Sequence, residues 1–324
     1  MKFDIISIGD ATIDTFLFLH EAQVKCTIKS EECELCFPYG EKLPVQSLHR
    51  TVAGNACNNA IANARFGFKN AFVVSVGEDP SGNWIIDALK KEGINTAFVK
   101  KDKKTQTNAS TVLSFKGERT IFVYHSPRVY ALPPKMPKAK AVYYTSVGLN
   151  HEKLNNQVAA YVKKTGARLG FNPGTYQMNA GLEKMRSVLA VTEMLFINKQ
   201  EAARILAVHG SIAEHARLFH NLGVRTVIIT DGANGAFVSD SQQMYFLGVP
   251  KTKVVERTGA GDSFAAGFMA ARLQGKSIPE AMRIGSANAS SVIMHIGPQT
   301  GLLSMAQIKN FIKKYKIGTP HLVK

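Results

Sequence analysis

The chain has 324 residues, 45% of them apolar and 20% charged, a composition that supports a large buried core and excludes a disordered chain. Its net charge of +16 suggests anionic partners, whether phosphorylated metabolites, nucleic acid or simply the acidic surroundings of a cell, but no recognition motif accompanies the charge, so nucleic acid is not expected. No uncharged apolar run is long enough to cross a bilayer, and Asp4 and Asp10 interrupt the first apolar stretch; no membrane partner is expected, and the expected location is the cytoplasm.

Phe3 to Gly9 is a short apolar run closed by glycine, which predicts a buried strand, and Asp10 and Asp14 follow at its carboxyl end, where open α/β sheets bind ligands. From Thr15 to about Arg50 the chain changes to short extended pieces punctuated by Pro38, Gly40 and Pro44. A second piece from Thr107 to His125 reads as a hairpin turning at Lys116-Gly117-Glu118. Together the two insertions predict a small sheet that acts as a lid. The domain reading is a large α/β unit over 1–14, 51–106 and 129–324, with the lid over 15–50 and 107–128. Exposed lid edges suggest a homodimer formed there.

Cys33 and Cys36 form a CxxC with Cys26 seven residues earlier. Three zinc ligands are one reading, but no second pair completes the set, and reduced structural thiols are the other.

Ala53-Gly54-Asn55-Ala56-Cys57-Asn58-Asn59-Ala60 leads into a helix predicted to run to about Phe66, followed by a strand over Ala71 to Val76 and a helix opening at Gly77-Glu78-Asp79-Pro80-Ser81-Gly82 with Asp79 or Ser81 as cap. After the second insertion, strands over 141–146, 168–171, 194–197 and 226–230 alternate with helical patterns over 151–165, 199–207 and 211–222. That alternation predicts a parallel sheet covered on both faces. An antiparallel pair at 235–239 and 243–247 and helices over 278–296 and 304–314 complete the chain.

The richest stretch is Arg257-Thr258-Gly259-Ala260-Gly261-Asp262-Ser263-Phe264, which follows an extended apolar segment ending at Val254-Val255 and opens a helix-patterned run. A glycine-rich helix start offers free backbone N–H groups and the positive end of the helix dipole to an anion. Asp262 beside it is either a helix cap or a general base that takes a proton from a substrate hydroxyl during phosphoryl transfer. Asn198 and Glu201, after the strand at 194–197, lie one helical turn apart, so the carboxylate could hold hydrated Mg²⁺ and the amide a phosphate. Thr230-Asp231-Gly232-Ala233-Asn234-Gly235 reads as a tight turn, and Asn288 as a residue tolerated in a helix or touching an adenine edge.

The order of these motifs, with Gly9 to Asp14, AGNAxxN (53–58), GxDxxG (77–82), NxxE (198–201), TDGxxG (230–235) and TGAGD (258–262), resembles the ribokinase family, the phosphofructokinase-B type of carbohydrate kinases. The resemblance covers essentially the whole chain and implies a ribokinase-like α/β fold, with a mostly parallel sheet, helices on both faces and a small β-sheet lid. It implies an ATP- and Mg²⁺-dependent kinase that phosphorylates a hydroxyl of a small sugar or sugar derivative, with a nucleoside as the alternative acceptor. It makes Asp262 the catalytic base and Gly259, Ala260 and Gly261 the anion hole. Asp14, Gly54, Asn55 and Asn58 match acceptor-binding positions, Asn198, Thr230, Gly232, Gly235 and Asn288 match ATP-binding positions, and Glu201 matches the Mg²⁺ position, acting through water.

Three departures qualify the carry-over. Ribokinase has Gly-Gly-Lys where this chain has Ala53-Gly54-Asn55, and a glutamate near a strand end where this chain has Thr145-Ser146-Val147-Gly148; both argue against ribose. Glu256-Arg257 stands where the family often has an Asp-Thr pair that helps bind a monovalent cation. Arg257 is expected to take that cation's place, leaving turnover little dependent on K⁺, with Glu256 either its partner or an ion ligand. Phe16, Phe18, Phe37, Tyr39, Phe122 and Tyr124 make the lid aromatic enough to stack on a nucleoside base, although half-buried strands favour aromatics anyway.

Overall fold

The computed structural model describes residues 2–20, 23–27, 32–116 and 118–323. The chain opens with β1 (Lys2–Ile8), β2 (Thr12–Leu19), β3 (Gln23–Thr27), β4 (Glu32–Cys36), β5 (Val45–Ala53), α1 (Asn55–Arg65), β6 (Asn70–Gly77), α2 (Pro80–Lys91) and β7 (Val99–Asp102). It continues through β8 (Asn108–Phe115), β9 (Glu118–Tyr124), β10 (Lys138–Thr145), α3 (Glu152–Thr165), β11 (Arg168–Asn172), α4 (Thr175–Asn179), α5 (Leu182–Leu189), β12 (Met194–Asn198), α6 (Lys199–Leu206) and α7 (Ile212–Asn221). It closes with β13 (Thr226–Thr230), β14 (Ala236–Ser239), β15 (Met244–Leu247), α8 (Ala260–Leu273), α9 (Ile278–Val292), α10 (Met305–Lys314) and β16 (His321–Leu322).

One 10-stranded sheet runs β16-β15-β14-β13-β12-β11-β10-β1-β6-β7. The strands from β7 to β13 pair in parallel, and the last three are antiparallel. Alternation along β10 shows why these runs are almost wholly apolar. Tyr143 packs with α1, α8 and α9 on one face, Tyr144 with α3, α5 and α7 on the other, and both are fully buried. Burying one large apolar side chain is worth about 1.5–3 kcal/mol, so these two layers outweigh the exposed ion pairs around them.

A second sheet of order β5-β2-β8-β9 stands over the carboxyl ends of the parallel strands, and β3 pairs with β4 as a separate hairpin. The division expected between residues 14 and 15 falls inside β2, and that between 50 and 51 falls inside β5. Both strands run without a break into the small sheet. Asp14 is therefore a residue of the small sheet, flanked by Thr51 and Ser110.

Two connections root this sheet. Asp79 caps α2 through the Gly82 N–H and also accepts from the Thr107 N–H and hydroxyl, each at 2.7 Å. Arg128, buried on the return path, donates to the carbonyls of Ser75 and Gln106. The GxDxxG motif thus fastens the base of β8 instead of lining a cavity.

Several elements differ from expectation. Helices α4 and α5 fill a stretch that carried no helical prediction, and the segment before Thr258 pairs with no strand. Instead, the Val255 and Glu256 N–H groups bond the Ile293 carbonyl at the end of α9. The Cys26 and Cys33 side chains and Gly117 lie outside the described residues; Cys36 and Cys57 are free thiols. Among the described residues no helix is long and apolar enough to cross a membrane.

Phe268 of α8 is fully buried against Phe196 of β12 and Phe264, with ring centroids 5.9 and 6.2 Å apart. This seam fixes the helix that carries Asp262 over the strand that ends at Asn198. Phe268→Ala should cost about 3–5 kcal/mol, read as a lowered urea midpoint, whereas Phe268→Leu should cost clearly less; equal losses would mean the seam is not close-packed.

Candidate active site

The carboxyl ends of the parallel strands and the inner face of the small sheet enclose a cleft of about 400 Å³. Asp14, Gly54, Asn55, Asn58, Asn198, Glu201 and Thr230 all reach it, as do Gly259, Ala260, Gly261 and Asp262. A smaller, mainly apolar slot of about 160 Å³ adjoins it and is lined by Gly232 and Gly235. The two cavities share Thr230, Ala260, Gly261 and Phe264, so the glycine-rich turn forms the wall between them.

That turn is built by its backbone. Gly259 sits at φ +80° as the cap of α8, and a Cβ there would come 2.5 Å from the Pro298 Cβ, which makes glycine obligatory. The first bond into the helix runs from the Ser263 N–H to the Gly259 carbonyl at 2.9 Å. The Gly261 and Asp262 amides precede it and have no helical acceptor. The Ala260 N–H closes the turn onto the Arg257 carbonyl at 3.3 Å.

Asp262 is buried, and its Oδ2 accepts a 2.8 Å hydrogen bond from Asn58 Nδ2. Burial pushes its pKa up to about 7, opposed by the Asn58 hydrogen bond and reinforced by the charges of Glu201 and Asp14. Asn58 is itself held: its Oδ1 accepts from Gln299 Nε2 at 2.9 Å. The Gln299 carbonyl accepts from Arg65 Nη1 at 2.7 Å, and Arg65 is forked onto Glu92. Asn58, expected to hold an acceptor hydroxyl, thus spends its amide on Asp262 and Gln299.

Asp14 is also buried, with Oδ1 accepting from the Thr12 hydroxyl at 2.7 Å, and burial raises its pKa. Gly54 caps α1 at φ +98°, where a Cβ would lie 2.8 Å from Ala11 Cα. That close approach seats the start of α1 against the residues after β1. Asn55 donates weakly, at 3.4 Å, to Asn172 at the end of β11.

Asn198 and Glu201 form a reciprocal capping box at the start of α6. Asn198 Oδ1 accepts the Glu201 N–H and Glu201 Oε2 accepts the Asn198 N–H, both at 2.8 Å. One oxygen of Glu201 and the amide NH₂ of Asn198 remain uncommitted to the cap, and burial raises the Glu201 pKa.

Asn288 is a correction. It is fully buried, with Nδ2 donating to the Ser263 carbonyl at 2.9 Å and Oδ1 accepting from the Leu303 N–H at 3.1 Å. Its polar groups are spent inside the protein and it reaches neither cavity; its neighbours Ser286, Ala289 and Ser290 line the slot. Arg257 is a second correction. Its guanidinium pairs with Glu118 of β9 at 3.1 Å, out at the surface, so it does not take a cation's place beside the turn. A third concerns the lid aromatics. Phe16 is fully buried, Phe18 packs edge-on to His49, and Phe122 and Tyr124 lie on the face of β9 opposite the cleft-lining Ile121 and Val123. None of the six lines the cleft.

Asp10, placed by the sequence at a ligand-binding strand end, and residues with no role expected of them complete the wall. Asp10 Oδ2 accepts from His125 Nδ1 at 2.8 Å and from the Tyr130 hydroxyl at 2.7 Å. This holds the His125 ring against the cleft, edge-on to Tyr176. Asn172 and Arg119 also line it. Asn172 had a signal in its place at a strand end before Pro173-Gly174; His125 and Arg119 had none, because only the folded hairpin brings them over the sheet.

The comparisons with known proteins agree with this architecture. The model of the pfkB family of carbohydrate kinases matches residues 16–305. The chain belongs to that family, and it is an ATP-dependent phosphotransferase of the carbohydrate-kinase type. A ribokinase of Haemophilus influenzae is 27% identical over 284 residues, 85% of this chain and 91% of its own. The structure of Arabidopsis thaliana ribokinase complexed with ribose and ATP superposes with a TM-score of 0.80 at 23% identity, covering 97% of this chain and 99% of that one. A nucleoside kinase of Methanocaldococcus jannaschii superposes with a TM-score of 0.76 at 22% identity, covering 96% and 98%.

Two pH effects follow from the raised Asp262 pKa. On the expectation that Asp262 is the general base, which must be ionised, kcat/KM should rise with pH and level off above about 7. The folded state holds this proton more tightly than the unfolded chain, so ionisation costs stability increasingly as pH climbs from the ordinary carboxylate range to about 7. Asp262→Asn should therefore melt higher than the parent at about pH 8, with the gain fading towards about pH 4; a pH-independent difference in Tm would contradict the burial argument.

Proposed function

We propose that the protein transfers the γ-phosphoryl group of ATP to a hydroxyl of a small sugar or sugar derivative bound between Asp14, Asn55 and the inner face of the lid. One observation supports this above the others: a buried carboxylate with a pKa near 7 stands beside free helix-start amides, at the wall shared by an apolar slot and a polar cleft. The slot, bordered by Gly232 and Gly235, suits a purine, and the turn suits the phosphates between them.

Asp262 takes the acceptor proton as the acceptor oxygen bonds to the γ-phosphorus. The bond from that phosphorus to the β,γ-bridging oxygen breaks, and ADP leaves with the electron pair. The Gly261 and Asp262 amides hold the charge on the equatorial oxygens. Glu201 suits Mg²⁺ held through water, since that ion takes one or two carboxylates plus phosphate oxygens instead of a full protein cage. The ion would neutralise phosphate charge. Asp14, His125 and Asn172 supply acceptors and donors for neighbouring hydroxyls, while Ile121 and Val123 exclude water when the lid is down.

A nucleoside acceptor is the second reading, favoured by Tyr176, whose ring lines the cleft and could carry a base. A panel of sugars, sugar phosphates and nucleosides, followed by ADP release, separates the two, and an inert panel overturns both. With the best acceptor, Asp262→Asn should lower kcat about 10²–10⁴-fold with nucleotide binding retained. Asp14→Ala should raise the acceptor KM far more than the ATP KM; parallel changes would remove Asp14 from the acceptor site.

We also propose a homodimer through the lid, on the strength of Leu48, Phe122 and Tyr124, which lie exposed there. Light scattering should give twice the monomer mass, reduced to the monomer by Phe122→Glu.

A further inference from the structure

The start of the lid hairpin and the approach to the catalytic turn carry the same dipeptide, Glu118-Arg119 and Glu256-Arg257. The structure sets them together crossed. Arg257 Nη1 lies 3.1 Å from Glu118 Oε1, and Arg119 Nε lies 4.0 Å from Glu256 Oε1.

The two contacts differ in kind. The first is exposed on both sides, so it contributes little energy but sets the hairpin against the approach to the turn. The second involves a carboxylate that is only 3% exposed. Glu256 Oε1 accepts the Thr258 N–H at 2.8 Å and the Thr258 hydroxyl at 2.6 Å, which sets the residue immediately before Gly259. Its Oε2 is buried with no hydrogen-bond partner among the described residues. A buried carboxylate left uncompensated is costly, and Arg119, reaching in from the lid, is the cation within ion-pair distance.

We propose that Glu118 and Arg119 are positioning residues for phosphoryl transfer: closing the lid brings the positive charge that Glu256 needs to hold Thr258, and the anion turn becomes fully ordered only then. The inference rests on the kinase reading above. Charge order enforces the register, because a lid displaced by one residue sets Glu118 against Glu256 in one direction and Arg119 against Arg257 in the other. Since the turn is completed by the lid that covers the acceptor, transfer to water without an acceptor is suppressed.

The test compares Arg119→Gln, Arg119→Lys, Glu118→Arg, and Glu118→Arg combined with Arg257→Glu, in the full chain with Mg²⁺ and the best acceptor of the panel. Arg119→Gln should lower kcat about tenfold, ~1.4 kcal/mol of barrier, with an unchanged dissociation constant for ADP. Arg119→Lys, or guanidinium ion added to Arg119→Gln, should restore much of the loss. Glu118→Arg should also slow turnover, and the charge exchange should recover it. Hydrogen exchange of residues 258–262 with ADP and Mg²⁺ bound should be faster in Arg119→Gln than in the parent. A kcat for Arg119→Gln within about twofold of the parent, or Arg119→Lys no better than Arg119→Gln, overturns the proposal. If no acceptor is phosphorylated, the kinase reading falls by itself and hydrogen exchange decides: faster exchange upholds the clasp, and equal exchange overturns it.

Discussion

The structure is arranged around a carboxylate withdrawn from bulk water. Asp262 sits in the first turn of α8 with its charged form penalised by burial, and the base proposed here is matched to neutral pH only through that penalty. The fold meets it with a single oriented donor, Asn58, and a line of contacts behind it through Gln299 to the Arg65–Glu92 fork. That line joins α1, the end of α2 and the segment after α9. Three parts of the chain far apart in sequence thus hold one side-chain amide at one angle, which a base that must meet a substrate proton requires.

The same economy governs the anion turn. Gly259 is fixed by what surrounds it, with Pro298 at its back, while Gly261 faces open space, and the approach to the turn is held by backbone bonds to the end of α9 and by Glu256. Asn288, inside α9, ties the Ser263 carbonyl to the Leu303 amide. It serves as a strut under the turn and lines neither the cleft nor the apolar slot. A motif position can therefore be functional without touching what the function acts on.

Much of this was legible in the residues, for identifiable reasons. The parallel core was readable because strands buried on both faces, such as β10 and β13, are continuous apolar runs, and the turn was readable because only glycine tolerates its backbone. Helix α4 was not, being a single turn of mixed residues held by Gln177 against the Gly174 amide. The place of β2 was hidden because the apolar pattern of β1 resumes at Thr12 after only three residues, so nothing local shows that the chain has passed to the second sheet. The Asp10–His125 pair spans 115 positions, and nothing local announces it. Arg257 was misplaced because charge and spacing do not show which way a long side chain turns, and Glu118 decided it.

The run of β2 through the boundary has an evolutionary implication. Asp14 stands at the root of the small sheet, on the strand that pairs with both β5 and β8, so the residue proposed to grip the acceptor is part of the lever that covers it. In such a design the cover is not a detachable module. Grafting the lid of a relative onto this body would import part of that relative's substrate preference with it. New preferences would then arise in this lineage through paired changes along β2 and β8, with the nucleotide half of the site left as it stands.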